Sequence, residues 1–402
     1  MRGPLEVADI FRSHGPGYRE AHGHEMPPRQ LRAMRAIEVC RTAELGGHVE
    51  ECDHCGALRI SYNSCRNRHC PKCQCLDKER WLEARKKDLL PTPYFHLVFT
   101  LPEGLRSLVL RNQDVLYGIL FKAASETIKE LAKDPKYLGA EVGFIAILHT
   151  WSQTLMDHPH LHCIVTGGGL SPDGKQWIPC KNSFFIPVKV LSRLFRGKFL
   201  AYLKEAREKG ELAFPGNIVY LKEDRSFKAM LDDLYDQKWV VYCKPPFSSA
   251  ETVMDYLGRY THRVAISNDR LVTMQEDQVT FRYRDRSNND TLKLMTLDAS
   301  EFIRRFLLHI LSDGFMKIRH YGILSNRNRK KKLALCKKLL GVDHLQEHEK
   351  EKETWQELLA RITGQDPRIC PCCGKGKMVL KEVLHPSTSH SRLCRHGRQV
   401  PP

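Results

Sequence analysis

Three histidines alternate with other residues in Asp157-His158-Pro159-His160-Leu161-His162-Cys163-Ile164-Val165, and an apolar run follows them. In an extended strand the side chains of residues i and i+2 share one face. His160 and His162 then stand side by side, while Leu161, Cys163 and Val165 turn the other way toward a core. Paired imidazoles on a rigid strand make half of a metal site, because imidazole is a favoured nitrogen ligand. The competing reading is a pair of ordinary surface or core histidines. The His-apolar-His spacing inside a strand pattern favours the metal.

A second constellation lies about a hundred residues on. Ser248-Ser249-Ala250-Glu251 is a capping box and predicts a helix start. Tyr256 and Tyr260 follow it four residues apart, on one helical face. Taken alone, they read as core or interface tyrosines. Beside a metal site they read as nucleophiles. A phenol with its ordinary pKa of ~10 attacks poorly, so it needs in-line positioning and a metal-activated phosphate. An ion held by two histidines and an oxygen ligand keeps open positions for a phosphate oxygen. The phosphotyrosine ester so formed would store the bond energy for rejoining, without a high-energy cofactor. Gly167-Gly168-Gly169 lacks the Lys-Ser/Thr of a phosphate-binding loop.

The third ligand is sought across a hairpin. Gly143 to Gln153 reads as a strand, His160 to Gly167 as the next, and Thr154 to Pro159 as the turn between them. Pairing across that turn brings Gln153 near His160 and Trp151 near His162. Gln153 is therefore the expected third, oxygen ligand. His149 lies two pairs farther along the same face and is the weaker candidate. His158 falls in the turn.

The cysteines call for a different ion. There are 15 in 402 residues, and no secretory leader is read in Met1 to Gly23, so thiols or metal ligands are expected rather than disulfides. Cys52-x2-Cys55 and Cys70-x2-Cys73 flank a hairpin through Leu58, Ile60 and Tyr62. That is the pattern of a zinc ribbon, in which Cys52, Cys55, Cys70 and Cys73 close on one structural zinc. Cys65 and His69 are further candidates, competing for that ion or joining Cys40 or His48 at a second. Near the end, Cys370-Pro-Cys372-Cys373-Gly374 holds one more knuckle, with Cys370 and Cys373 as its pair. His385, His390, Cys394 or His396 are its possible partners.

The surrounding chain must position these groups. It is 42% hydrophobic, which suits a folded protein, and too long for one core. A formal net charge of +17, spread along the whole length, points to a polyanion such as nucleic acid. Basic residues cluster at Arg66, Arg68 and Lys72 and again from Lys317 to Lys332. Arg66, Arg68, Arg263, Arg319, Lys330 and Lys331 are the DNA-contact candidates, against the alternative of a solvated basic face. No run approaches the ~18 apolar residues of a membrane span, so a soluble cytoplasmic protein is expected. Helices are expected over Arg29–Cys40, Asp77–Leu90, Leu105–Ala132, Val188–Lys209 and Ala299–Leu311. Strands are expected over Tyr94–Leu101, Trp239–Cys243 and in a meander over Arg263–Ser267, Leu271–Gln275 and Val279–Asp285, giving an α+β class. Pro91-Thr92-Pro93 reads as a domain boundary, and Asp343 to Thr354 as a linker or exposed helix.

His160-Leu161-His162 resembles the His-hydrophobic-His signature of the HUH endonuclease superfamily, and Phe99-Thr100-Leu101 is similar to its first-strand motif. Four longer strings resemble the rolling-circle transposases of the insertion-sequence-91 family. They are Tyr62 to Gln74, His158 to Cys163, Tyr256 to Asn268 and Phe302 to His309. The likeness runs nearly the length of the chain in the family's order. It implies an HUH endonuclease domain, a central antiparallel sheet with packed helices, preceded by a zinc-ribbon-like module. The corresponding division is 1–90 for the helical and zinc-binding part and 91–268 for the nuclease with its tyrosine helix. Residues 269–345 would be a basic DNA-binding part, and 346–402 a charged linker and cysteine tail. The resemblance also implies an enzyme that cuts single-stranded DNA at element ends and target DNA with Mg2+ or Mn2+, and forms a 5′-phosphotyrosine. The 3′-hydroxyl primes replication before strand transfer, in the bacterial cytoplasm at the nucleoid. Two-tyrosine members alternate a pair spaced like Tyr256 and Tyr260; in a single-tyrosine enzyme Tyr260 is favoured. The alternatives are a plasmid replication initiator or relaxase with the same chemistry, and a non-enzymatic zinc DNA-binding regulator.

Overall fold

The computed structural model describes residues 5–181, 185–247, 252, 253, 256, 258, 264–285, 288–342 and 353–386. Tyr260, Arg263, His390, Cys394, His396 and the capping box at 248–251 lie outside these. The chain forms two compact units, each from separated stretches. The first takes Met1–Arg80, His262–Ile310 and Glu347–Pro402, the second Trp81–Thr261 and Leu311–Gln346. These units cut across the four consecutive stretches expected from the sequence, because strands far apart in the chain pair with each other.

In the first unit, β1 (Gly47–Cys52) lies between β2 (Leu58–Tyr62) and β12 (Met378–Leu384), all antiparallel. A second sheet holds β8 (Leu271–Gln275), β9 (Gln278–Asp285) and β10 (Thr291–Asp298). The meander is thus shifted along the chain. β10 replaces the strand expected before Ser267, and residues 264–267 are irregular. Helices Val7–His22 and Ala299–Leu307 meet through Phe11 and Phe306, edge to face at 5.2 Å. Such a pair contributes about 0.5–1.5 kcal/mol beyond its buried area.

The single ribbon expected from Cys52, Cys55, Cys70 and Cys73 does not form. Cys70 and Cys73 converge with Cys40 and Cys65 instead, all four Sγ atoms within 4.8 Å of one another. Cys52 and Cys55 lie with Cys370 and Cys373. The reason is the sheet: with β12 beside β1, the tail knuckle reaches Cys52 before Cys70 can. His69 is in neither group, and its Nε2 lies 3.4 Å from Arg68 Nε.

The second unit carries a six-stranded antiparallel sheet. Its order is β11 (Ile318–Gly322), β4 (Glu141–Trp151), β5 (Asp157–Leu170), β3 (Tyr94–Thr100) and β7 (Val241–Phe247), with β6 (Trp177–Pro179) beside β5. This α+β arrangement, with helices on a central antiparallel sheet, is the one expected. One sheet face is the core: Phe99, Phe144, Leu161 and Val165 pack with Leu116 and Leu120 of helix Gln113–Lys133 and with Phe195 and Phe199 of helix Val188–Glu208. Burying each such side chain contributes about 1.5–3 kcal/mol. Asn112 divides the long helix expected from Leu105. Its amide bonds Leu108 O and Ala213 O and accepts from Ala213 N. β7 runs through Pro245 and Pro246, which were expected to end it. It is an edge strand, and the two prolines fall at the register shift between the Lys244–His96 and Phe247–Tyr94 pairs. The triple glycine sits in β5 because backbones crowd it. A Cβ on Gly167 would lie 2.6 Å from Pro93 O, and one on Gly169 2.5 Å from Glu141 O.

The β4–β5 hairpin turns earlier than expected. Ser152 N donates to Met156 O at 2.9 Å, and Ser152 Oγ accepts from Met156 N at 3.2 Å. Leu155 is fully buried at φ 62°, which anchors the tight turn. His158 and Pro159 therefore belong to β5 and not to the turn. The register pairs His149 with His160 and Ile147 with His162. Gln153 lies in the turn, outside the paired ladder. Among the described residues, no helix is long and apolar enough to cross a membrane.

Candidate metal and tyrosine site

Direct partners in an antiparallel sheet point to the same side. The face opposite the core therefore carries, in adjacent rows, His149–His160–Thr100 and Ile147–His162–Val98–Tyr242. One strand step farther, Ile164, His96 and Lys244 line up. The alternation that buries Leu161, Cys163 and Val165 thus raises His160 and His162 on the other side.

His149, His160 and His162 converge, with one ring nitrogen of each within 4.8 Å of the others. His149 and His162 are buried at 4% and 5% exposure. His149 stacks on Trp151 at 4.9 Å, and its centroid is 4.6 Å from that of His162. His160 Nδ1 donates to His158 O at 2.6 Å. That bond leaves the lone pair on Nε2, the usual way a metal-binding imidazole is oriented. Three nitrogen donors at such spacing need only small side-chain movements to meet an ion at about 2.1 Å. The donor set fits a divalent transition metal better than Mg2+, which prefers oxygen. His149 stands where Gln153 was expected.

Tyr256 lies beside this cluster. Residues 252, 253, 256 and 258 are helical, and Val253 and Tyr256 are buried against the sheet. Tyr256 Oη is 2.7 Å from His96 Nε2 and 3.2 Å from His162 Nδ1. His96 Nε2 is 2.9 Å from His162 Nδ1. Phe247 packs on the phenol ring at 5.0 Å. Burial pushes the His96 imidazole down to about 3, and the positive charge of Lys244 adds to this. His96 is therefore neutral near pH 7, too weak a base to be charged there, and its ring nitrogen can accept a hydrogen bond from the Tyr256 hydroxyl.

His96 did not stand out in the sequence. It is a lone histidine in the apolar run Tyr94–Thr100, and only the β3–β5 register reveals its place. The one available signal was parity, since it shares the face of Val98 and Thr100.

The basic candidates divide. Lys330 and Lys331 are exposed on helix Arg329–Leu339, and Arg66 is exposed. Arg68 is half-buried beside His69. Arg319 points to the core side, with its guanidinium 4.0 Å over the Phe121 ring and 5.5 Å from that of Phe315.

The first cysteine group fits zinc. Cys73 Sγ is 3.5 Å from Cys40 Sγ and 3.6 Å from Cys65 Sγ. Two sulfurs on one tetrahedral zinc are about 3.8 Å apart, whereas a disulfide needs about 2.05 Å. Hydrogen bonding within the group, from Cys40 first, holds the Cys73 thiol far below its ordinary value and pushes that of Cys65 far up. Such a cluster of competing thiolates is relieved by a cation.

Comparison with known proteins places the chain among transposases. A family model described as "Putative transposase" matches residues 143–332, and one described as "Transposase zinc-binding domain" matches residues 10–101. A protein of Sinorhizobium fredii (strain NBRC 101917 / NGR234) titled "Putative transposase y4qJ" is 52% identical over 389 residues, 96% of this chain and 97% of that one. The "Transposase for insertion sequence element IS801" of Pseudomonas savastanoi pv. phaseolicola is 29% identical over 301 residues, 74% of this chain and 71% of that one.

Proposed function

This chain belongs to the insertion-sequence-91 family of transposases, and from that premise we propose that it cuts and rejoins single-stranded DNA at element ends through Tyr256. The observation that carries the reading is the Tyr256 hydroxyl 2.7 Å from a neutral imidazole and beside a three-histidine cluster. His96 accepts a hydrogen bond from the phenol and aims its oxygen, and the phenol proton passes to solvent as the attack proceeds. The phenolate oxygen attacks the scissile phosphorus, an O–P bond forms, and the bond from phosphorus to the 3′-oxygen breaks. The 3′-oxygen leaves, takes a proton and becomes a hydroxyl, while the 5′-phosphate stays on Tyr256. Rejoining is the reverse attack by a 3′-hydroxyl, which returns the phenol. Bond energy is conserved, so the cycle needs no nucleotide cofactor.

A divalent ion on His149, His160 and His162 would stabilise negative charge on the scissile phosphate. His160 is aligned for this by its bond to His158 O, and His149 by its stacking on Trp151. Tyr260, four residues on, is the second nucleophile of this scheme, holding one strand while Tyr256 attacks the next. The two would support rolling-circle-like transposition at the bacterial nucleoid. Tyr242, 49% exposed on the same face, is placed to stack a base near the cut. Two strand spacings of about 4.8 Å put it ~10 Å from His162. Lys330 and Lys331 supply phosphate contacts.

The test is a labelled single-stranded element end with Mn2+, with the adduct mapped by mass spectrometry. Tyr256 should carry the DNA. Adduct formation at the wild-type rate by the Tyr256→Phe/Tyr260→Phe double variant would overturn the mechanism.

A further inference from the structure

We propose that Cys52, Cys55, Cys370 and Cys373 bind a second structural zinc, which clasps the C-terminal segment to the N-terminal hairpin. The matched zinc-binding family model ends at residue 101, so half of this donor set lies beyond it.

The geometry is that of two interlocked knuckles. Cys52 Sγ is 3.7 Å from Cys373 Sγ, and Cys55 Sγ is 3.7 Å from Cys370 Sγ. These separations match the ~3.8 Å of a tetrahedral zinc thiolate. Amides of both knuckles point at sulfur. His54 N and Cys55 N donate to Cys52 Sγ, Cys372 N to Cys370 Sγ, and Gly376 N to Cys373 Sγ. Such bonds stabilise thiolates. The knuckles also hold each other directly. Asp53 N donates to Lys377 O at 3.1 Å, and Lys377 N donates to Asp53 Oδ1 at 2.7 Å. A Cβ at Gly376 would lie 2.4 Å from Cys52 Sγ, so only glycine permits the approach.

Apolar burial cannot be what keeps β12 in place. Val379, Leu380 and Val383 are 53%, 60% and 53% exposed. The strand starts at Met378, opposite Cys52, directly after the knuckle. A metal supplies the cohesion that so small a sheet lacks. Cys40, Cys65, Cys70 and Cys73 form the other site, so the two ions load independently.

The experiment is metal analysis of the full chain. Cys370→Ser/Cys373→Ser should hold one zinc ion fewer than wild type, with the tail newly open to trypsin at Arg368 and Lys377. Cys372→Ser should keep both ions and the protected tail, because Cys372 is outside the donor set. Cadmium-113 substitution of wild type should give two tetrathiolate resonances, which tests the site even where the double variant fails to fold. A single tetrathiolate resonance in wild type, or a zinc content unchanged in the double variant, would overturn the proposal.

Discussion

Replacing His149 with Ala separates two assignments of the third metal ligand. The β4–β5 register sets His149 opposite His160, in the same row and beside His162. Gln153 is in the turn. Mutating an outer partner of a metal ligand typically costs about 10–100-fold in affinity or activity, so loss of a direct ligand should cost at least ~100-fold. At about 1.4 kcal/mol per decade, that is ~2.7 kcal/mol. His149 is 4% exposed and stacked on Trp151, so the variant should also lose about 1–2 kcal/mol of stability, visible as a lower Tm but not as unfolding. The assay is single-turnover cleavage of a single-stranded element end across a Mn2+ titration. His149→Ala should shift the Mn2+ midpoint upward by ~100-fold and recover part of its rate at high Mn2+. Gln153→Ala should change the midpoint by less than about threefold. The opposite result, with Gln153→Ala crippled and His149→Ala near wild type, would refute the three-imidazole site.

His96→Ala should slow cleavage by about 10²-fold through misplacement of the phenol, while leaving DNA affinity in a gel shift unchanged; an unchanged rate would remove His96 from the positioning of Tyr256. Three imidazoles should favour Mn2+ over Mg2+ at equal concentration, and equal rates would argue for an oxygen-rich site. Tyr242→Ala should raise KM for single-stranded DNA by about 10-fold, from ~1–3 kcal/mol of stacking, with Tyr242→Phe close to wild type. Asp157 is 6% exposed, both its oxygens are buried without a partner, and burial pushes its carboxyl up to about 7, with Arg106 opposing. Because the folded value exceeds the ordinary 3.8, stability is full below about pH 4 and is lost as pH rises toward 7. Asp157→Asn should therefore stabilise the protein at pH 8, by up to about 4 kcal/mol, and hardly at all at pH 4. Denaturation at the two pH values checks this, and equal effects would contradict it.

Much of the second unit was legible because its signals are local. Alternation over Tyr94–Thr100 and His160–Val165 marks strands with one buried face, and it places His160 and His162 together on the other. The Ser248–Glu251 box and the tyrosine spacing announced a helix whose Tyr256 the structure sets beside His162. The composition announced a polyanion-binding chain. Register was not legible in this way. A turn two residues earlier, anchored by buried Leu155 and the Ser152 hydroxyl, moved His149 into the row that spacing had assigned to Gln153.

By itself, then, the sequence determined the side-chain chemistry on hand: paired imidazoles, helix-spaced phenols and cysteine knuckles, each visible within a few residues. Only the tertiary structure decided which of these meet. His96 and His162 are 66 residues apart, Tyr256 and His96 160, and Cys55 and Cys370 315. Contacts at such separations are set by strand pairing and core packing across the whole chain, and a thiol or an imidazole carries no mark of its distant partner.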